Sequence, residues 1–164
     1  MTIRELNLVD RASFVDALGG IFEDSPWVAE RAFDTRPFAN LKALHAAMTE
    51  QVERATFAER LALLKAHPDL GARARLSHAS AIEQAGAGLD SLTPGEFEQL
   101  HRLNAAYRGR FGFPFLLAVK GSTKHDVLRA LQARMEASPE DEFREALRQV
   151  YRIAKSRLED LIGS

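Results

Sequence analysis

SPEDEFREALRQVYRIAKSRLEDL, residues 138–161, places its apolar side chains at helical spacing. Phe143, Ala146, Leu147, Val150, Ile153, Ala154, Leu158 and Leu161 follow steps of three and four, the pattern of a helix with one buried stripe. Ser138 and Pro139 supply a start signal, a hydroxyl cap followed by a residue already fixed at helical φ. Arg157 falls on the same face, four residues after Ile153 and four before Leu161. A guanidinium keeps its charge in any protein, so on a buried seam it needs an anionic partner. Two readings stand side by side. Arg157 reaches water or a carboxylate from the edge of the stripe, or it binds an anion.

Working outward, the same grammar covers the rest of the chain. Residues 123–137 form the preceding helix. Before it, Phe115 to Val119 is an apolar run short enough to be extended, set off by the break FGFPF at 111–115. Thr93-Pro94-Gly95-Glu96 opens a long helix carrying Phe97, Leu100, Leu103, Asn104 and Tyr107 on one side. Ser80 and Glu83 have capping-box spacing and predict a short helix ended by Gly86 or Gly88. Residues 72–79 give no clear signal. Thr56 caps a helix with the stripe Phe57, Leu61, Leu64, which must stop near His67 because Pro68 disfavours helical geometry before it. Leu41, Leu44, Met48 and Val52 mark a helix from Asn40 to Arg54. Ser25 caps another, with Pro26 in its first turn, ending at Thr35-Arg36-Pro37. The first helix runs from Asn7 to Leu18, with Asp10 as its cap and Gly19-Gly20 as its stop. No β-branched alternation, repeat or linker appears. The expectation is an all-α fold, one compact domain over residues 1–164 with about eight helices.

Composition narrows the function. A chain of 164 residues fits one domain and needs no disulfide or metal staple. Lys plus Arg is 22 and Asp plus Glu is 23, so no basic excess exists for sequence-blind nucleic-acid binding. Cysteine is absent, which removes thiol nucleophiles and thiolate metal sites and fits a reducing compartment. No stretch approaches the ~20 apolar residues of a membrane span, and neither end carries a targeting signal. The expectation is a cytoplasmic protein with no nucleic-acid or membrane partner.

Three groups look unlike plain scaffold. His67 sits where a helix ends, with Pro68 stiffening the chain behind it; it caps the last carbonyls or presents an imidazole at a cavity wall, where the helix C-terminus favours its protonated form. Ser80, Glu83 and Gln84 lie within one turn and act as a cap, as a polar binding surface, or as both. Asn104, among apolar neighbours, reads as a core amide tying its helix to a loop. His45, His78, His101 and His125 have no metal-ligand spacing, and no metal is expected.

Read in order, several blocks resemble the OHCU decarboxylase family of uric acid breakdown, which acts on 2-oxo-4-hydroxy-4-carboxy-5-ureidoimidazoline (OHCU). They are FEDSPWVAERA (22–32), RPF (36–38), AHPDLG (66–71), SAIEQ (80–84) running into AGAGLD (85–90), LNAAYRGRFGFPF (103–115) and RIAKSRLEDL (152–161). The likeness spans nearly the whole chain. It implies an all-α homodimer without a cofactor, removing CO2 from OHCU to give (S)-allantoin after urate oxidase and hydroxyisourate hydrolase. The family's catalytic histidine matches His67, with Glu83 assigned beside it. Its substrate-binding positions match Pro68, Ser80, Glu83, Gln84, Arg157 and the run Phe115, Leu116, Leu117, Ala118 and Val119, whose backbone meets the substrate. Asp24 departs from an expected histidine, and Leu116 to Lys120 is a conservative version of an Ile/Val-rich, Arg-ended pattern. The expectation is the decarboxylase alone, without an attached transthyretin-like hydrolase domain. The aromatic region of Trp27, Phe33 and Phe38 is the candidate dimer surface. The competing classes are a helical interaction module and an enzyme for another ureido acid. Thermal stabilisation by allantoin separates the module, and substrate comparison separates the other enzyme.

Overall fold

The computed structural model describes residues 1–71 and 76–162, and these contain nine α-helices and no strand. The helices are α1 (Ile3–Leu8), α2 (Arg11–Leu18), α3 (Trp27–Phe33), α4 (Leu41–Arg54), α5 (Phe57–Lys65), α6 (His78–Gly86), α7 (Pro94–Phe111), α8 (Lys124–Arg134) and α9 (Pro139–Ile162). The all-α expectation holds, with one more helix than expected. The segment read as a single helix from Asn7 is two. Thr2 and Glu5 form a capping box that starts α1, while the Asp10 carboxylate accepts from the Ser13 N–H and starts α2. Asp10 is therefore the cap expected, but of a helix that begins after α1 has already ended. Of the unassigned stretch 72–79, residues 72–75 lie outside the described residues. None of the helices described is long and apolar enough to cross a membrane.

The chain divides into two compact units, Met1–Ala66 with Tyr151–Ser164, and His67–Val150. In the first, α3 packs against α2 and α4. Phe14 is fully buried beside Phe33 (5.5 Å between ring centroids) and Phe38 (6.2 Å). Leu44, Met48 and Val52 form the buried stripe of α4, as expected, and the Asn40 side chain caps the helix by accepting from the Ala43 N–H. Two expectations are corrected in this unit. Ser25 does not cap α3; its hydroxyl donates to the Glu23 carbonyl, and Pro26 takes the cap position with no side-chain bond. Phe57 is exposed rather than part of the α5 stripe, while Leu64 is buried as expected, with Leu63 buried beside it. Phe38 belongs to the core, and Phe33 is covered by Arg36 at 3.7 Å and Arg11 at 4.5 Å, so only part of the aromatic region offered as a dimer surface is accessible.

In the second unit, α7 packs against α8. Gly112 ends α7 in the left-handed region (φ 83), where a side chain is disfavoured. The chain then passes through a knot of rings: Phe113 and Phe115 meet Tyr107 edge-on at 5.9 and 5.4 Å. Leu100, Val127, Leu131, Ala146, Leu147 and Val150 complete this core.

Capping boxes also predict how acid acts on the fold. Glu59 is held down to about 2 from an ordinary 4.5, first by its bond from Arg31, then by the Thr56 N–H. Glu96 is held to about 2 by Lys124 and then by the Thr93 N–H. Both carboxyls bind protons less readily folded than unfolded. Their contribution is therefore complete above about pH 4.5 and lost as pH falls toward 2. Melting temperature should drop across that window, and the Glu59→Gln, Glu96→Gln double variant should show a shallower drop when Tm is measured against pH.

Candidate active site

Helix α6 begins three residues earlier than its sequence predicts. Ser77 is the N-cap, its hydroxyl accepting from the Ser80 N–H, so Ser80 lies inside the helix rather than at its start. The competing cap was a second serine placed one turn upstream. The consequence matters chemically, because the Ser80 and Glu83 side chains are not consumed as a reciprocal cap pair. Ser80, Glu83 and Gln84 stand at i, i+3 and i+4, on one face. That face is turned inward: Ser80 and Gln84 are buried, Glu83 is half-buried, and Ala81 and Ile82 are exposed. The helix ends at Gly86, as expected.

His67 follows directly on the C-cap of α5, Ala66, and is buried with 6% of its surface exposed. Pro68 restricts the backbone on both sides of the peptide it forms. The loop 67–71 is then tied down three times. The Gly71 N–H donates to Gln84 Oε1 at 2.9 Å, Asn104 Nδ2 donates to the Leu70 carbonyl at 2.9 Å, and Arg108 bonds Asp69 at 2.8 Å. Gly71 is required for this geometry. Its φ of 75 is left-handed, and a Cβ there would meet Leu100 Cδ2 at 2.4 Å. The loop carrying His67 and Pro68 and the helix carrying Ser80, Glu83 and Gln84 are thus joined by a direct hydrogen bond. Asn104 is the loop-tying amide its neighbours implied. Gln84 spends its carbonyl oxygen on Gly71, a positioning contact the residue pattern did not reveal.

The run Phe115–Val119 is non-helical, as expected, with Phe115, Leu116 and Val119 buried and Leu117 and Ala118 half-buried. Two of its backbone groups are held by side chains that the sequence did not flag. Arg134 Nη1 donates to the Leu116 carbonyl, and the Ala118 N–H donates to Gln149 Oε1.

Arg157 belongs to the first unit, on the second half of α9, and only 8% of it is exposed. Its Nη2 donates to Glu23 Oε2 at 2.8 Å and its Nη1 to the Gly20 carbonyl at 3.0 Å. Glu23 is itself buried, 3% exposed. The anionic partner demanded by a buried guanidinium is therefore a carboxylate of this chain. Sequence reasoning placed Glu23 inside a family block without giving it a role. The sequence offered only an acid two residues before Ser25, with nothing in its spacing to mark it as buried. The neighbouring Asp24 adopts φ 43, a left-handed conformation in which Asp, Asn and His are all enriched. The departure from histidine at this position thus exchanges two residues suited to the same backbone.

No cluster of three or more His, Asp or Glu able to hold a metal occurs among the described residues. His45 Nε2 is engaged with the Tyr151 carbonyl at 2.8 Å, and His101 stacks on Phe97.

The chain is similar over its whole length to known proteins. The chain is 47% identical over 164 residues to a 2-oxo-4-hydroxy-4-carboxy-5-ureidoimidazoline decarboxylase of Haloferax volcanii, covering all of this chain and 98% of that one. It is 48% identical over 161 residues to the uric acid degradation bifunctional protein PucL of Bacillus subtilis, covering 98% of this chain and 33% of that longer protein. Among solved structures, a crystal structure of (S)-allantoin synthase superposes with a TM-score of 0.79 at 38% identity, covering 99% of this chain and 54% of that one. A family model described as OHCU decarboxylase matches residues 7–159, and the chain belongs to that family.

Proposed function

We propose that this protein decarboxylates OHCU to (S)-allantoin and CO2. The observation that carries the reading is the joining of a buried histidine loop to a helix face bearing a serine, a glutamate and a glutamine. Those positions are the ones at which the family resemblance puts its catalytic and substrate-binding groups. Full-length identity of 47% to the Haloferax volcanii decarboxylase supports the same substrate.

The chemistry asks little beyond these side chains. When the C–CO2 bond breaks, its electron pair forms a C=C bond within the ring and the adjacent C=N pair passes to the ring nitrogen, which takes up a proton, so the substrate supplies its own electron sink. The intermediate is an enol. It collapses when the hydroxyl gives up its proton, the carbonyl forms, and the ureido-bearing carbon takes a proton on one face. His67 moves that proton, first meeting the hydroxyl and then protonating the carbon. Glu83 accepts hydrogen bonds from the hydroxyl or ureido nitrogen and orients the ring. Ser80, Pro68 and the Phe115–Val119 backbone line the substrate. Gln84 keeps the loop in place through its oxygen and has its amide nitrogen to offer. The resemblance implies that Arg157 also binds substrate; its guanidinium N–H groups, whose charge Glu23 offsets, would contribute direction more than net charge.

The lack of cysteine and of targeting signals in the sequence supports a cytoplasmic protein, and the resemblance implies a homodimer that follows urate oxidase and hydroxyisourate hydrolase. The match to part of a longer uric acid degradation protein supports a place in uric acid degradation. The test generates OHCU in place, adds the protein, and follows decay by absorbance and circular dichroism. Accelerated decay that yields (S)-allantoin alone supports the reading; racemic allantoin at the uncatalysed rate, or the opposite enantiomer, rejects it.

A further inference from the structure

The run Phe115–Val119 lies between α7 and α8 without a sheet partner among the described residues, yet it is anchored at two points on one side. Arg134, the last residue of α8, donates from Nη1 to the Leu116 carbonyl at 2.5 Å and lies 4.6 Å above the Phe115 ring. The Ala118 N–H donates to Gln149 Oε1 at 2.9 Å. Both holders are themselves held. Arg134 Nε donates to Glu142 Oε1 at 2.7 Å, and the Tyr107 hydroxyl donates to the same oxygen. Gln149 Nε2 donates to Glu145 Oε2 at 2.9 Å. Glu142, Glu145 and Gln149 stand at i, i+3 and i+7 of α9, so one face of that helix supplies Gln149 and the carboxylates that hold both anchors.

We propose that Arg134 and Gln149 are positioning residues that fix the substrate-facing backbone of Phe115–Val119. The inference rests on the decarboxylase reading above. Leu116 and Ala118 are two residues apart, the interval at which an extended chain presents polar groups to the same edge. With that edge taken by Arg134 and Gln149, the Leu117 N–H and C=O turn to the opposite edge and meet the substrate. A buried Arg–Glu–Tyr chain costs desolvation that apolar packing would avoid, and its use here is to set register. Glu142 is 1% exposed, so the chain is built into the core rather than draped on the surface. Burial, and then Glu142, push the Tyr107 hydroxyl well above its ordinary range, so it remains a donor at any working pH.

The test uses the full-length protein and two changes. Gln149→Met keeps length and removes the acceptor. Arg134→Met is made together with Glu142→Gln, so that no lone charge is left buried. Each is assayed for kcat, KM and enantiomeric excess of allantoin, with Tm measured alongside. The expected result is a loss on the order of 10–100-fold in kcat/KM, with reduced enantiomeric excess, in protein that still folds. The exchange Gln149→Glu with Glu145→Gln preserves both hydrogen bonds and should recover most of the selectivity lost in Gln149→Met. Lowered Tm with unchanged kcat/KM and enantiomeric excess would mean purely structural roles and would overturn the proposal. A wild-type protein that fails to accelerate OHCU decay would instead overturn the decarboxylase reading beneath it.

Discussion

Replacing His67 by alanine is expected to lower OHCU turnover by ~10²–10⁴-fold, the usual contribution of a positioned acid–base group, while the chain stays folded. The second half of that expectation follows from how the loop is built. Its conformation is set by Pro68, by the Gly71–Gln84 bond, by the Asn104–Leu70 bond and by the Arg108–Asp69 pair, none of which uses the imidazole. Those contacts remain in place when the ring is removed. Stereochemistry is the sharper readout. The uncatalysed reaction gives racemic product, so a variant that still binds substrate but no longer delivers the proton should yield allantoin of falling enantiomeric excess. Full activity at unchanged Tm would remove His67 from the mechanism.

Helix content was legible because it is written locally. Thr56, Thr93 and Thr123 sit three residues before an acid, and all three form reciprocal caps. The same rule misled at Ser80, because Ser77 offers the same chemistry one turn earlier and local rules do not rank two candidates. At Ser25, a cap-like hydroxyl found a carbonyl two residues back and left the helix start to proline. Single site residues were legible where chemistry is unusual for its place, as with an arginine on an apolar stripe. Their partners were not. Glu23 lies 134 residues from Arg157, and Arg134 and Gln149 reach their strap contacts from 18 and 31 residues away. Such pairings depend on tertiary packing, which no periodicity encodes. The resemblance named the substrate-binding positions; it was the hydrogen bonds that separated Gln84's loop-holding oxygen from a simple ligand contact.

Arg157 has two roles that one substitution cannot separate, and its pair with Glu23 shows how to separate them. Arg157→Leu takes from Glu23, a carboxylate that is 3% exposed, the guanidinium bonded to it at 2.8 Å. Breaking a buried pair from one side costs about 3–5 kcal/mol, because the remaining charge loses its counterion. For a chain of this size, that is a fall of roughly 6–20 °C in Tm. Removing both, as Arg157→Leu with Glu23→Leu, eliminates the stranded charge together with the desolvation of the pair, and such exchanges are often neutral or stabilising. Stability should therefore return toward that of the wild type. Activity should not return with it, since the guanidinium N–H groups offered to the substrate are gone, and KM should remain raised in the double variant. If activity recovers along with Tm, Arg157 serves only to neutralise Glu23 and has no part in binding. If the single variant melts like the wild type, the pair is not the structural element its burial implies.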